Sequence, residues 1–315
     1  MEIIGSVLRF TGRLPRGYGK IGDDVAIVPV AGKKLVLKVD MLVESTDVPR
    51  GMTFRQAGRK AVAMCVSDFA AKGVKPDSYM VSLGVPKKMG SRDIDDLALG
   101  FRDASREWAV RLVGGDTNEA KELVVDCTMV GFGGHVVGRG GAKQGDIVAT
   151  TGLFGCPPAG LQILIRGAKA AAGFRRAAVK SVLSPTPNLR LGLALAGFWT
   201  SSMDSSDGLA RSLHALARAS GVGMEIHTLP TADGVEEFAK ANKLSARRLV
   251  LEGGEEYLIV GTMKARRFSG ASRVAERNGG RIFEIGRVTG RSGRVTLRSR
   301  NGTKPIEDAG WVHLR

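Results

Sequence analysis

Aspartates on predicted turns and strand ends are the residues of this sequence best suited to chemistry. In the segment VRLVGGDTNE, Asp116 directly follows the glycine pair Gly114-Gly115, which we expect to end a buried strand at residues 110–113. Paired glycines let a backbone turn tightly or lie against a ligand. A carboxylate on such a turn can hold a hydrated cation beside a phosphate. The segment therefore predicts a cation and phosphate site around Asp116.

Aspartates recur in similar settings along the chain, and one shared site explains them together. They are Asp23, Asp24, Asp40, Asp68, Asp204 and Asp207. Unit charges about 4 Å apart repel by about 4 kcal/mol at an effective dielectric of about 20, so such a cluster needs bound cations. We expect Mg²⁺, which prefers oxygen ligands and shares its shell with phosphates. Such a site stabilises a transferring phosphoryl group through metal ions and positioning.

Several other catalytic motifs are absent from the sequence. Tyr18 stands where a P-loop beginning at Gly12 would need its lysine. The histidines form neither a HExxH pair nor an HRD loop; they are His135, His214, His227 and His313. The three cysteines are odd in number and form no CxxC pair, which argues against a disulfide framework and a structural zinc. We therefore expect reduced thiols and a cytoplasmic location.

The composition fits a globular protein of one large or two ordinary domains, with 315 residues of which 43% are hydrophobic. No apolar stretch approaches the roughly 18 residues of a membrane span, and MEIIGSVLRF lacks the features of a signal peptide, so we expect no membrane partner. The net charge of +16 attracts polyanions in general. Because aromatic residues make up only 5%, no stacking ladder accompanies the basic residues. A basic nucleic-acid-binding protein that uses magnesium structurally is the alternative from a different class.

Two predicted elements position aspartates in a defined way. In the strand predicted at residues 35–43, alternate apolar residues share one face, so Asp40 points to the other face. A carboxylate in the middle of a strand is unfavourable unless something holds it. Thr53 and Gln56 form a capping box that begins a helix, and this helix carries Asp68 beside its apolar stripe. Gly73 is expected to end it.

The order of the predicted elements indicates an α+β protein with two domains. Strands and helices mix without strict βαβ alternation, and a short helix is expected at residues 2–11. The glycine-rich, charged segment GRGGAKQGD at residues 138–146 interrupts the pattern. We place the domain boundary there, which gives domains at residues 1–140 and 141–315.

Taken together, seven motifs in order resemble the thiamine-monophosphate kinases. They are IGDD at 21–24, VDMLVESTD at 39–47, AGRKAVAMCVSDFAAKGVKP at 57–76, VGGDTNEA at 113–120, GRGGAKQGD at 138–146, DSSDGL at 204–209 and GGEEY at 253–257. The segment at residues 43–62 is most similar to archaeal members. The wider group is the aminoimidazole-ribonucleotide-synthetase-like ATP-binding proteins.

The resemblance implies a fold, an assembly and a reaction. The subunit would be a two-domain α+β protein of the aminoimidazole-ribonucleotide-synthetase-like fold, in a homodimer whose N-terminal strands pair into a barrel. The N-terminal domain would bind ATP and metal, and the C-terminal domain would close the cleft. The γ-phosphoryl group of ATP would pass directly, in line, to thiamine monophosphate, assisted by several Mg²⁺ ions. No general base is required, because a phosphate monoester with a second pKa of about 6 is already ionised at neutral pH.

The resemblance also implies roles for individual residues. The metal-binding positions match Asp23, Asp24, Asp40, Asp68, Asp116, Asp204 and Asp207. The ATP-binding positions match Gly115, Asp116, Thr117, Arg139 and Ser206, and the substrate-binding positions match Asp47, Glu255 and Trp311. Two residues depart from bacterial kinases: Val39 stands in place of a threonine and Asp47 in place of a histidine. Lys60 and His313 are interpreted as structural.

Three other branches of the superfamily fit less well. A selenophosphate synthetase would carry a reactive cysteine or selenocysteine in a glycine-rich N-terminal segment, whereas Cys65 is the first cysteine here. A hydrogenase-maturation carbamoyl dehydratase would end in cysteine, whereas this sequence ends in WVHLR. An aminoimidazole ribonucleotide synthetase would carry a DGVGTK-like turn at residues 40–43. A related ATP-dependent enzyme that acts on another phosphorylated small molecule remains the alternative within the superfamily.

Overall fold

Helix α2 (Phe54–Lys72) lies at the centre of the chain and contacts strands of both β-sheets. The computed structural model describes residues 14–290, 293–299 and 302–311. The helix begins as the sequence predicts: the Thr53 side chain accepts a hydrogen bond from the Gln56 backbone, and the Gln56 side chain accepts one from the Thr53 backbone. It ends at Gly73, whose φ of 66° is left-handed. Because α2 is covered on several sides, several of its polar residues are buried: Lys60, Ser67, Asp68 and Lys72.

The first sheet comes from the N-terminal part of the chain. Its strands are β1 (Ala26–Val30), β2 (Lys33–Val43), β3 (Pro76–Val85), β4 (Arg111–Glu119) and β5 (Val124–Gly133). They lie in the order β1-β2-β5-β3-β4; β3 and β4 pair in parallel and the other neighbours are antiparallel. Helices α1 (Glu44–Asp47) and α3 (Ser91–Trp108) complete this part. One face of the sheet is buried against α2, and the opposite face, called the outer face below, is largely exposed.

The second sheet comes from the C-terminal part of the chain. Its strands are β6 (Ile147–Thr150), β7 (Trp199–Ser205), β8 (Gly223–Ile226), β9 (Leu258–Met263), β10 (Phe283–Thr289), β11 (Val295–Ser299) and β12 (Gly302–Pro305). Their order is β12-β11-β8-β10-β6-β9-β7. The helices are α4 (Cys156–Arg166), α5 (Ala172–Leu183), α6 (Leu189–Leu195), α7 (Leu209–Ser220), α8 (Val235–Ala241), α9 (Ala246–Glu252) and α10 (Phe268–Arg277), with a 3₁₀ turn at Ala265–Arg267.

Two hydrophobic clusters hold these layers together. One joins α2, α3 and the buried face of the first sheet, and it extends to Trp199 and Ile259 of the second sheet. The other lies among the second sheet, α4 and α7. The chain is therefore a mixed α+β protein with two sheets, as the element order predicts. Within the described residues, no helix is both long enough and apolar enough to cross a bilayer.

The sequence-based prediction is wrong about the glycine pair. Strand β4 continues through Gly114 and Gly115 to Glu119 instead of ending at residue 113. A Cβ on Gly115 would lie 2.2 Å from the backbone oxygen of Val81 on the neighbouring strand, so this glycine allows a close approach of two strands. The helix predicted at residues 2–11 lies outside the described residues.

Candidate active site

Three aspartates from separate parts of the chain meet between the two sheets. Asp24 lies two residues before β1, Asp68 lies in α2, and Asp204 lies in β7. All three are buried, and each offers a carboxylate oxygen within 4.8 Å of the other two. The Ser67 hydroxyl donates a hydrogen bond to Asp204 at 2.8 Å, which orients that carboxylate. The structure thus brings together aspartates that are up to 180 residues apart in the sequence.

Three cationic side chains of the protein surround these aspartates. Lys38 on β2 lies 2.8 Å from Asp68 and 3.1 Å from Asp40. Lys72, at the end of α2, lies 2.6 Å from Asp23 and 2.5 Å from Asp24, and donates to the backbone oxygen of Ser202 at 2.7 Å. Arg139 donates to Asp24 through Nε at 2.6 Å and also through Nη2.

Burial and neighbouring charges shift the pKa values of Asp24, Asp68 and Asp204 in different directions. Burial opposes the ionisation of Asp24, but Lys72 and Arg139 outweigh it and lower its pKa. Burial raises the pKa of Asp68 well above its usual value; Asp204 raises it further, and Lys38 only partly compensates. Burial, followed by the charge of Asp24, raises the pKa of Asp204 to about 6. For Asp68 and Asp204, burial together with the charge of a neighbouring aspartate thus outweighs the stabilising effect of Lys38.

This arrangement fits a divalent cation. The donors are all carboxylate oxygens, as Mg²⁺ prefers, and they approach one another closely enough to share one ion. A bound cation would also stabilise the ionised forms of Asp68 and Asp204 against the burial and the neighbouring negative charge that raise their pKa values. Asp24, Asp68 and Asp204 are therefore the residues best placed to hold a metal ion.

The remaining predicted metal residues lie at different distances from this cluster. Asp40 and Asp207 line the same cleft, with Asp40 linked to Asp68 through Lys38. Asp23 accepts hydrogen bonds from the backbone N–H groups of Asp24 and Arg139, at 2.8 and 3.0 Å. Asp23 therefore links the backbone segments that carry Asp24 and Arg139 beside the cluster.

Asp116 does not reach the cluster within one chain. The strand register pairs Asp40 with Cys127, Cys127 with Val81, and Val81 with Gly115, so these positions share the face of the sheet that is turned towards α2. Asp116 is one residue further along β4 and projects from the outer face, as its partner Ser82 does. All residues of β4 are exposed. Gly115, Asp116 and Thr117 do not line the cleft of their own chain.

The aspartate cluster opens into a large cleft between the two halves of the chain. The cleft encloses about 1730 Å³. Its walls include most of the predicted ligand-binding residues: Arg139, Ser206, Asp47, Glu255 and Trp311. Arg139 is already bonded to Asp24, and its Nη1 donates to the Gly22 backbone oxygen at 2.9 Å. Trp311 is 51% exposed, and its backbone N–H donates to the backbone oxygen of Asp207 at 3.0 Å.

Lys60 contacts two of the predicted substrate-binding residues, Glu255 and Asp47. Its side chain is buried, and its Nζ lies 2.7 Å from Glu255 Oε2 and 2.8 Å from the Asp47 backbone oxygen. The Asp47 carboxylate accepts hydrogen bonds from the Val43 N–H at 2.9 Å and from the Thr46 hydroxyl at 2.8 Å. These hydrogen bonds hold the Asp47 carboxylate in place at the end of α1.

The loop that carries Glu255 has a strained backbone. Glu255 and Tyr257 both have left-handed φ angles, of 68° and 51°. Their N–H groups donate to the backbone oxygens of Ser206 and Ser205, at 2.7 and 3.0 Å. Such strain persists only where the surroundings impose it and is concentrated at functional sites. The hydrogen bonds fix Glu255 beside Ser206, the predicted ATP-binding residue.

The sequence patterns predict no role for Lys38 or Lys72, although both contact the clustered aspartates. Lys60, which the sequence analysis interprets as structural, is buried and pairs with Glu255. A signal was present for Lys38, because it lies two residues before Asp40 and therefore on the same face of the strand. The lysines of α2 carried no such signal, because only packing on several sides of the helix reveals that they are buried. His313 lies outside the described residues.

Comparisons with known proteins agree with this architecture. The family model "AIR synthase related protein, N-terminal domain" matches residues 22–132. A thiamine-monophosphate kinase of Nitrosopumilus maritimus is 38% identical over 296 residues, which cover 94% of each chain. One of Pyrococcus horikoshii is 33% identical over 301 residues, covering 94% of this chain and 91% of the relative. A solved structure of AaThiL complexed with AMPPCP and TMP is similar at a TM-score of 0.86 and 28% identity, covering 99% of this chain and 95% of that one.

The matches to these relatives therefore extend over both sheets, beyond the N-terminal segment that the family model covers. Archaeal relatives more than 30% identical span nearly the whole chain, and the similar solved structure spans it as well. The chain belongs to the thiamine-monophosphate kinase family.

Proposed function

We propose that this enzyme transfers the γ-phosphoryl group of ATP directly, in line, to the phosphate of thiamine monophosphate, with the help of several Mg²⁺ ions. The bond between the β- and γ-phosphates breaks, a new phosphoanhydride bond forms, and the products are ADP and thiamine diphosphate. The similar AaThiL structure contains AMPPCP and TMP, which supports these two substrates. The observation that carries the proposal is the buried cluster of Asp24, Asp68 and Asp204 at the wall of the cleft.

Each half of the chain supplies part of the proposed metal site. Residues 1–140 contribute Asp24, Asp40 and Asp68, and residues 141–315 contribute Asp204 and Asp207. Bound Mg²⁺ would supply positive charge to the phosphate oxygens. Arg139 and Ser206 face the cleft and would contact ATP. No side chain needs to act as a base, because the acceptor phosphate is already ionised at neutral pH.

The other part of the cleft suits the thiamine moiety, whose thiazolium ring is cationic. Glu255 and Asp47 place two carboxylates there, and Trp311 adds a half-exposed aromatic ring. Aromatic faces and carboxylates both attract an organic cation. We infer that these three residues bind the substrate, with Lys60 fixing the position of Glu255.

The outer face of the first sheet supports a homodimer. Large apolar residues are exposed along it, including Val39, Met41, Met80 and Phe132. Monomeric proteins rarely expose a contiguous apolar surface of this kind. We propose that the outer faces of two chains pack into a barrel. Because Asp116 lies on this face, it would complete the site across the interface, as Asp116 of the partner subunit.

An assay with ATP, thiamine monophosphate and MgCl₂ tests the reaction. ADP and thiamine diphosphate are expected in equal amounts. Formation of neither product over a wide range of Mg²⁺ concentrations would refute the kinase proposal. Formation of ADP only with a different phosphorylated acceptor would favour the related-enzyme alternative.

Co-expression of two inactive variants tests the role of Asp116. Asp116→Asn and Asp204→Asn are each expected to lose nearly all turnover while remaining folded. If Asp116 acts across the interface, a mixed dimer contains one site with both aspartates intact. Random pairing would then restore about a quarter of wild-type turnover, since half of the dimers carry one intact site of two. Without an interface role, each chain of the mixed dimer remains defective and no turnover returns.

The cytoplasmic location also stays a proposal. Cys65, Cys127 and Cys156 are free thiols, and the first two are buried. Free thiols are typical of reducing compartments. Secretion of the native protein into an oxidising compartment would contradict this assignment.

A further inference from the structure

Lys38 is a lysine of the cleft that contacts two proposed metal-binding aspartates at once. It lies on β2 two residues before Asp40, so both side chains project towards α2. Its Nζ lies 2.8 Å from Asp68 Oδ2 and 3.1 Å from Asp40 Oδ1. The side chain is only 18% exposed. The ammonium therefore stands between two carboxylates that are both proposed metal ligands.

The position of this ammonium is one that a metal ion would otherwise take. A cation that bridges Asp40 and Asp68 would bond to the same oxygens that Lys38 now contacts. Mg²⁺ binds carboxylate oxygens at about 2.0–2.1 Å, so it and the ammonium would be only a few ångströms apart. Two cations at that separation repel strongly in a buried site. Lys38 and a divalent ion thus exclude each other between these two aspartates.

The charge balance of the cluster also supports a single divalent ion beside Lys38. Five carboxylates take part in it: Asp23, Asp24, Asp40, Asp68 and Asp204. Three cations face them: Lys38, Lys72 and Arg139. When all five carboxylates are ionised, two negative charges remain, which is the charge that one divalent ion balances. The group of Asp24, Asp68 and Asp204 is the place for that ion, because its oxygens approach within 4.8 Å.

We propose that Lys38 is a built-in cation that fills the position between Asp40 and Asp68, so that the protein without nucleotide binds a divalent ion only at Asp24, Asp68 and Asp204. This inference rests on the proposed metal-dependent function. It assigns Lys38 as a positioning residue that sets the number of metal ions. Lys72 differs from Lys38 because its Nζ is also held by the Ser202 backbone oxygen.

Titration with Mn²⁺ alone, counted by the electron paramagnetic resonance of the free ion, tests the proposal on the full chain. Lys38→Met should bind about one additional Mn²⁺ per chain, and the neighbouring ions should give a spin-coupled signal typical of sites about 4 Å apart. Lys38→Arg keeps the charge and should bind as many ions as wild type. Lys34→Met, on an exposed lysine of the same strand, is the control and should also match wild type.

The possible results separate the two proposals. Equal Mn²⁺ counts in Lys38→Met and wild type, with normal thiamine diphosphate formation, overturn the role of Lys38 and leave the proposed function intact. Binding of no Mn²⁺ by wild type, together with absence of product, refutes the proposed function itself. Should Lys38→Met fail to fold, manganese-soaked crystals of wild type decide the question. An anomalous peak between Asp40 and Asp68 overturns the proposal, whereas a peak at Asp24, Asp68 and Asp204 alone supports it.

Discussion

At the scale of single residues, Lys60 links the two halves of the cleft through one buried ammonium group. Its partners are Glu255 on the strained loop and the backbone of Asp47 on α1. Removing one member of a buried ion pair leaves the other charge uncompensated, which costs far more than loss of an exposed pair. We therefore expect the pair to make a measurable contribution to the free energy of unfolding.

We expect strong energetic coupling between Lys60 and Glu255. In a double-mutant cycle of Lys60→Met and Glu255→Gln, the coupling in the free energy of unfolding should reach about 2 kcal/mol. Denaturant unfolding measures it. The exposed pair Lys87–Glu119, 3.3 Å apart, is the matched control and should show no measurable coupling. Equal coupling in the two pairs would show that burial of Lys60 has no special effect.

Glu256 is a buried carboxyl group that makes the stability depend on pH. It accepts a hydrogen bond from the Gly155 N–H at 2.5 Å, yet burial raises its pKa from 4.5 to about 8. Between these values the folded chain holds a proton that the unfolded chain has released. The free energy of unfolding should therefore fall as pH rises through this window, by about 1.4 kcal/mol per pH unit for this group.

Replacing Glu256 with glutamine should remove this dependence. The amide oxygen can still accept the Gly155 hydrogen bond but does not ionise. Unfolding measured from pH 5 to pH 8 should show a flatter profile for Glu256→Gln than for wild type. Glu237→Gln, on the exposed surface of α8, should keep the wild-type slope. Identical slopes in all three proteins would mean that Glu256 titrates normally.

At the scale of secondary-structure elements, the position of α2 depends on helices that approach it closely. In α6, a Cβ on Gly192 would lie 2.2 Å from the backbone oxygen of Ala70 in α2. In α3, a Cβ on Gly100 would lie 2.2 Å from the Arg55 oxygen. These contacts are with backbone atoms, which cannot rotate away. Because α2 carries Lys60, Asp68 and Lys72, the position of this helix relative to the two sheets determines the geometry of the site.

We therefore expect Gly192→Ala to destabilise the protein by about 1–3 kcal/mol, as overpacking of a helix contact does. Differential scanning calorimetry would detect the lower Tm. Gly197→Ala is the matched control, because nothing lies within 4 Å of the added Cβ. A similar Tm for both variants would show that α6 can move away from α2 without cost.

At the scale of the whole molecule, the outer face of the first sheet exposes large apolar side chains to solvent. Phe132 is 53% exposed on this face, and Ile94 is 44% exposed on α3 elsewhere. If the outer faces pair, a charge at Phe132 would be buried in the interface, whereas a charge at Ile94 would remain in water.

Phe132→Asp is accordingly expected to give monomers with little kinase activity, whereas Ile94→Asp should resemble wild type. Light scattering coupled to size-exclusion chromatography gives the mass, and the thiamine diphosphate assay gives the activity. A dimer of undiminished stability in Phe132→Asp would place the interface on another surface.

The sequence alone determined the features that depend on neighbours along the chain. It identified the capping box of α2, the stop at Gly73 and the mixed α+β order of elements, because these signals lie within a few residues. The motifs also predict a shared metal site for seven aspartates, among them Asp24, Asp68 and Asp204. Each of these predictions needs only residue type and local spacing.

Only the tertiary structure decided which of these residues meet. Strand register placed Asp40 on the buried face and Asp116 on the outer face, and register depends on pairing between strands that are distant in sequence. Packing of α2 between two sheets buried Lys60 and Lys72 and turned them towards carboxylates. Burial and charge pairing are properties of the assembled layers, so no local pattern in the sequence specifies them.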